Sequence, residues 1–411
     1  MALPESREPG GAGDDLSGID IHDPDRYVAG PPHADFARLR RSAPVFRQPT
    51  PDGGFYWAVT RHADVVAVST DPATYSSARG SVMIEDLEPE ILEMTRSMLL
   101  VMDPPAHGRY RRMVLHAFTP RMVEALEPRI RALSRAILES AAEKEELEFV
   151  HDVAAELPVQ VIGELMGIPA QDRPRLRDWA EQLTGNQDPD VNPGGNEAEA
   201  SFAMGAYAVG LAGERRGKAG DDLTTTIVNA EVDGHVMNDF EFGAFFVQMV
   251  TAGNDTSKTS ISSAVDVLLD HPAALAALRE DASRIPAAVE EVLRYANPLH
   301  YFRRTATRDT TLRGTPIREG DKVVLLYTSA NRDEEVFADP NRFDISRSPN
   351  PHLAFGFGEH FCVGAKLARL EARIFLEELL SRFARIERTG PARRQRSNLN
   401  NALKSLPLVV G

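Results

Sequence analysis

One segment constrains this chain more than any other. DFEFGAFFVQMVTAGNDTSKTSISSAVDVLLD, residues 239–270, contains no proline and keeps a helical character throughout. Asn238 precedes it with Glu241 three residues on, a capping-box spacing, and His271–Pro272 closes it. At about 1.5 Å per residue the helix is roughly 48 Å long, so it must run through the middle of the molecule. Its apolar first half ends at TAGNDTS, Thr251–Ser257, where poor helix formers interrupt the greasy run. Hydroxyl and carboxyl groups in the centre of a buried helix need partners or a task. A loosened turn with two solvated residues is the plainer reading. A widened turn beside Asp255 and Thr256 that admits a small ligand and passes protons to it is the sharper one.

Around this rod the patterns are mixed. VFRQPTPDGGFYWAVTR, 45–61, reads as two strands about a Pro-Asp-Gly-Gly turn. Residues 82–295 are mostly helical, with a Pro/Gly/Asn-rich surface loop at 185–200. TLRGTPIREGDKVVLLYTSA, 311–330, reads as strands split by glycine turns. GAKLARLEARIFLEELLSRF reads as a last helix and ALKSLPLVV as a terminal strand. Length alone suggests about two or three domains, but no linker divides the chain. The expectation is a mainly α protein with a smaller β region, one large domain over residues 21–411 behind a flexible tail, 1–20. That tail lacks the basic and apolar regions of a signal peptide, and FGAFFVQMV is too short to span a bilayer, so a cytoplasmic protein with no membrane anchor is expected. The net charge of −15 argues against nucleic acid as a partner.

Three further motifs carry polar chemistry. In EEVLRY, Glu291 and Arg294 lie three apart on one helical face; as a surface pair this would be unremarkable. In DPPAHGRYRRMV, His107 and Arg111 share a face and suit either solvent or an anionic group such as a carboxylate. FGFGEHFCVG, 355–364, holds the sole cysteine, Cys362, so no internal disulfide is possible. Glycines at 356, 358 and 364 permit tight backbone bends, and a helix begins just after the sulfur, where its N-terminal dipole favours a thiolate. An inert buried thiol needs neither feature.

Together these motifs resemble the cytochrome P450 superfamily, in particular its soluble bacterial members. FGFGEHFCVG matches the haem signature Phe-Gly-x-Gly-x-His-x-Cys-x-Gly at every fixed position; AGNDT, EEVLR and HGRYR match three further family helices in the right order. The resemblance implies the P450 fold and haem b, with Cys362 as thiolate ligand of the iron, Phe355 beside the sulfur, and Gly356 and Gly364 bringing backbone N–H groups near it. It implies that His107, Arg111, Arg304 and His360 bind the haem propionates, with Arg303 the competing neighbour of Arg304. It reverses the bland reading of Glu291 and Arg294, which with Arg342 would form a buried ion network holding the cysteine loop. Ala252 and Gly253 would open the helix for dioxygen, and Asp255 and Thr256 would be the acid–alcohol pair that delivers protons.

The implied activity is a monooxygenase that inserts one atom of O₂ into a hydrophobic substrate of steroid, terpenoid, fatty-acyl or polyketide type. Electrons would come from NAD(P)H through an external ferredoxin and ferredoxin reductase, and the enzyme would be a monomer. A peroxide-driven peroxygenase on the same fold and a haem-binding sensor or carrier are the alternatives; neither needs the acid–alcohol pair. Met249, Ala252, Leu299, Tyr301 and Leu403 are expected to line the substrate pocket, with a further wall from residues 81–100. Arg109, Arg112, Lys366 and Arg369 are expected near the face where an acidic ferredoxin would dock, with ordinary solvated charges the plainer reading.

Overall fold

The computed structural model describes residues 15–195 and 197–411. The helices that frame the site are numbered here as α1 (Ala106–Ala117), α2 (Glu127–Ala142), α3 (Glu156–Leu165), α4 (Arg173–Thr184), α5 (Glu197–Arg215), α6 (Asp239–Asp270), α7 (Ile285–Tyr295) and α8 (Ala365–Arg382). α6 is the central rod that the sequence predicts. Asn238 accepts the Glu241 N–H at 3.0 Å and the Glu241 carboxylate accepts the Asn238 N–H at 2.8 Å, so the capping box closes in both directions. α3, α4, α5, α7 and α8 all pack on α6. The apolar half of the rod (Phe242, Phe245, Phe246, Val250) sinks into one large helical core with Val161, Met204, Val292 and Phe375.

The largest part of the β region is a five-stranded sheet. Its strands are β1 (Val45–Pro49), β2 (Phe55–Val59), β3 (Tyr75–Ser76), β4 (Tyr301–Ala306) and β5 (Lys322–Leu326), in the spatial order β1-β2-β5-β4-β3. β1 and β2 form the expected hairpin, Val45 opposite Val59 and Pro49 opposite Phe55. Gly53 takes φ +84° in its turn, a conformation that favours glycine. Apolar residues on both faces of the sheet are buried, Tyr56, Val324 and Leu326 with Phe36 and Leu39, and Val59, Val323 and Leu325 with Val65 and Leu353.

Packing begins before residue 21. Ile19 and Ile21 are buried beside Tyr56, and Gln48 donates to Asp20 at 3.0 Å, so the ordered body extends into the segment read as tail. Most of that segment, residues 1–14, lies outside the described residues. The terminal strand is also corrected in detail: it is two short strands, Leu403–Ser405 and Pro407–Val410, which join different sheets. Among the described residues no single helix is long and apolar enough to cross a membrane.

Candidate functional site

α6, the entry to α8 and the segment 298–304 line a common cavity of about 210 Å³. Cys362 lies in its wall, on a loop whose shape is set by local hydrogen bonds. The Cys362 N–H donates to Phe355 O at 2.9 Å, Gly356 N–H to Leu353 O at 2.9 Å and Phe361 N–H to Gly358 O at 3.1 Å. Gly356 and Gly358 both take φ +70°, and a Cβ on Gly358 would stand 2.5 Å from Ser69 O. Gly364 is different: its φ of −82° suits any residue, so it opens α8 without needing special backbone freedom. Cys362 is exposed to the cavity, yet the protein packed around it pushes its thiol up, against the opposing pull of the Gly364 N–H, Arg111, Arg369 and the Ala365 N–H. The expected lowering by the helix N-terminus is therefore outweighed in the protein alone.

The Glu291–Arg294 pair is wholly buried. Arg294 is bidentate, Nε to Oε2 at 2.8 Å and Nη2 to Oε1 at 2.7 Å. Its remaining donors reach three backbone carbonyls, Asn331 at 2.9 Å, Pro340 at 2.8 Å and Arg342 at 3.0 Å, which satisfies all its N–H groups. Arg342 thus contributes a carbonyl, and its exposed side chain is outside the network. The third charge belongs to Arg347, whose Nε lies 3.2 Å from Glu291 Oε2. The Asp344 N–H at 2.8 Å and Asn350 Nδ2 at 3.2 Å complete the shell of Glu291. Asn331 Oδ1 also takes the Leu353 N–H at 2.7 Å, linking the network to the start of the cysteine loop.

His107, Arg111, Arg304 and His360 converge on the same cavity. The His107 and His360 rings lie 4.2 Å apart, and His107 Nε2 is buried with no partner. Arg111 reaches Phe361 O at 2.7 Å, Arg304 reaches only the Arg303 carbonyl at 2.9 Å, and His360 meets Ser77 Oγ at 3.2 Å. Burial, then the neighbouring cations, hold His107 down at about 4 and His360 at about 2; burial also lowers Arg304. No carboxylate hydrogen-bonds any of the four among the described residues. Such a set of donors calls for an anionic group, and the two carboxylates of a haem opposite a thiol fit it. Arg303 is excluded from this role because it is spent on Asp86 and the carbonyls of residues 83–85.

The centre of α6 departs from expectation. The helix runs unbroken through TAGNDTS, with no widened turn. The Thr256 hydroxyl faces the cavity and donates to Ala252 O at 2.6 Å. Asp255 does not line the cavity; it pairs with Lys258 Nζ at 2.8 Å, which also faces Glu181 of α4 at 3.5 Å. Lys258 is buried, which opposes its charge, yet Asp255 and Glu181 hold its pKa above the ordinary value. Gly253 leaves room for Ile162 of α3, whose Cδ1 would meet an added Cβ at 3.3 Å.

Met249, Ala252 and Leu299 line the cavity as expected, joined from the 81–100 wall by Leu99 and Leu100. Tyr301 and Leu403 do not. Strand alternation turns Phe302 toward the cavity and Tyr301 into the core beside Tyr56 and Val324, where its hydroxyl accepts the Ile84 N–H. Leu403 is packed in the helical core. Three of the four docking cations are ion-paired, Arg112 with Asp233, Lys366 with Glu124 and Arg369 with Glu290, while Arg109 has no ion pair among the described residues. Sequence reasoning also missed Glu371, a wholly buried cavity-lining acid raised to about 8 by burial. A carboxylate one turn after Leu367 on an apolar stripe was the available signal.

The comparisons agree with this architecture. The Cytochrome P450 family profile matches residues 214–407. The steroid C26-monooxygenase of Rhodococcus jostii (strain RHA1) is 38% identical over 399 residues, covering 94% of this chain and 83% of that protein. The methyl-branched lipid omega-hydroxylase of Mycobacterium tuberculosis (strain ATCC 25618 / H37Rv) is 40% identical over 386 residues, covering 91% of this chain and 90% of that one. Among solved structures, Mycobacterium marinum cytochrome P450 CYP268A2 in complex with pseudoionone superposes with a TM-score of 0.88 at 38% identity, over 98% of this chain and 100% of that chain. The chain belongs to the cytochrome P450 family and has its fold. It is an oxidoreductase of the monooxygenase type, and membership implies haem with a cysteine thiolate ligand and O₂ as co-substrate.

Proposed function

We propose that this enzyme hydroxylates an apolar small molecule of steroid, terpenoid, fatty-acyl or polyketide type, with electrons passed from NAD(P)H through a separate ferredoxin reductase and ferredoxin. The observation that carries this reading is one shared cavity, lined by apolar side chains together with a thiol and four anion-binding groups. Bound haem supplies the dioxygen chemistry. Cys362 would hold its iron, and His107, Arg111, Arg304 and His360 its propionates. Thr256 would present its hydroxyl at the reaction face, and Asp255 would supply protons after leaving Lys258. The relatives named for a steroid and a methyl-branched lipid, and the pseudoionone complex, support an apolar substrate. We read the enzyme as a cytoplasmic monomer.

The test is a spin-state titration with steroids, terpenes, fatty acids and small charged metabolites. Tight binding of a charged metabolite, with no response to any apolar class, overturns the substrate reading. Product formed with ferredoxin, reductase and NAD(P)H separates a monooxygenase from a peroxygenase, which needs peroxide alone, and from a sensor, which turns over with neither. Cys362→His should abolish the red-shifted ferrous–CO band. Thr256→Ala should still consume NAD(P)H while releasing more hydrogen peroxide and less product; unchanged coupling removes Thr256 from proton delivery.

A further inference from the structure

We infer that Gln248 sets specificity by donating a hydrogen bond to a neutral oxygen acceptor on an otherwise apolar substrate. This rests on the apolar-substrate reading and adds the polar feature such a molecule must carry. Gln248 faces the cavity from α6, one turn before Ala252. Its Oε1 accepts the Leu100 N–H at 3.3 Å, which fixes the amide. Its Nε2 has no partner among the described residues.

Of the cavity's other polar side chains, the hydroxyls on α6 are committed, while Glu371 keeps its Oε2 without a partner among the described residues. Thr256 Oγ1 donates to Ala252 O and Ser260 Oγ to Thr256 O, while Ser257 bonds Glu371. The four groups proposed to bind the propionates also line the cavity, with Tyr327 in the field of Arg304. The apolar part of the cavity lining includes Leu99, Ile162, Leu165, Met249, Leu299 and Phe302. A hydrocarbon covering Gln248 strips water from two amide N–H donors and returns nothing, and the unpaired group carries the full desolvation cost. A carbonyl, ether or hydroxyl oxygen at the same place restores the bond. Discrimination of this kind, against a ligand that lacks the matching group, is stronger than a methylene's worth of packing. Gln248 precedes Ala252 and Gly253 by four and five residues, about 6–8 Å of helix axis. The carbon oxidised beside them is therefore remote from the acceptor.

The experiment compares methyl undecyl ketone with tridecane, which has the same carbon count, by spin-state titration of the haem-loaded enzyme. The wild type should bind the ketone at least about tenfold more tightly. Gln248→Leu should bring the ratio close to one, with tridecane bound more tightly because no donor is left to desolvate, and Gln248→Glu, isosteric and without donors when ionised, should lose the ketone preference, with haem content unchanged in both. Oxidation of the ketone should fall away from its carbonyl. Equal wild-type affinities, or a ketone preference that survives both variants, overturn the role of Gln248 and leave the apolar reading intact. Failure of the wild type to bind either ligand, with charged metabolites binding instead, overturns both.

Discussion

Arg294 and Asn254 are both wholly buried, and the fold treats them in opposite ways. Every donor of Arg294 has an acceptor, in a network that ties α7 to the chain before Cys362. Asn254, in the centre of α6, has neither amide atom paired, and Thr251 Oγ1 on the same helix is likewise unpartnered. The first region has the economy of a structural site: polar groups are buried only where each is answered. The second keeps polarity that helix propensity disfavours and packing does not repay. Departures of this kind concentrate where function rather than stability selects the residue.

Substitutions can break this contrast. Arg294→Met removes the bidentate partner of the buried Glu291 carboxylate and leaves three buried carbonyls without that donor, and should cost about 3–5 kcal/mol, with loss of haem incorporation; thermal unfolding and the ferrous–CO spectrum read both. Retention of near-wild-type stability would show the network to be ornamental. Gly358→Ala should cost about 1–3 kcal/mol through its positive φ and the Ser69 carbonyl, whereas Gly364→Ala should cost under about 1 kcal/mol. Arg347→Ala should cost about 1–2 kcal/mol, and Arg342→Ala less than about 0.5 kcal/mol, because only its carbonyl is used. Equal losses at 342 and 347 would return the third charge to Arg342. Asn254→Leu should be close to neutral or stabilising by up to about 1 kcal/mol, since it replaces unpaired atoms with apolar ones of similar shape. A loss as large as that of Arg294→Met would erase the distinction between the regions.

What could be read in advance follows from how local each determinant is. The bounds of α6 were legible because Asn238, Glu241 and His271–Pro272 act within a turn of the helix ends. The hairpin at 45–59 was legible from its turn residues, and the convergence of His107, Arg111, Arg304, His360 and Cys362 from their motifs. Arg347 was not, because the exchange of a side chain at 342 for one at 347 is decided by the path of an irregular segment. Tyr301 fell on the wrong side for a different reason: one residue of strand register separates cavity from core. The Asp255–Lys258–Glu181 chain needs the packing of α4 on α6, which no spacing in the sequence encodes.

The carbonyls of Asn331, Pro340 and Arg342 are all gathered by one guanidinium, and Asn331 in turn holds Leu353. That arrangement makes the ligand loop a jig that is assembled before its workpiece arrives. The conformational entropy of the segment leading to Cys362 is surrendered during folding, at about 1–2 kcal/mol per backbone residue, and does not have to be surrendered again when the cofactor docks. Cofactor affinity would thereby depend partly on residues that do not line the cavity. Slackening that grip should appear first as faster haem loss and only afterwards as altered chemistry.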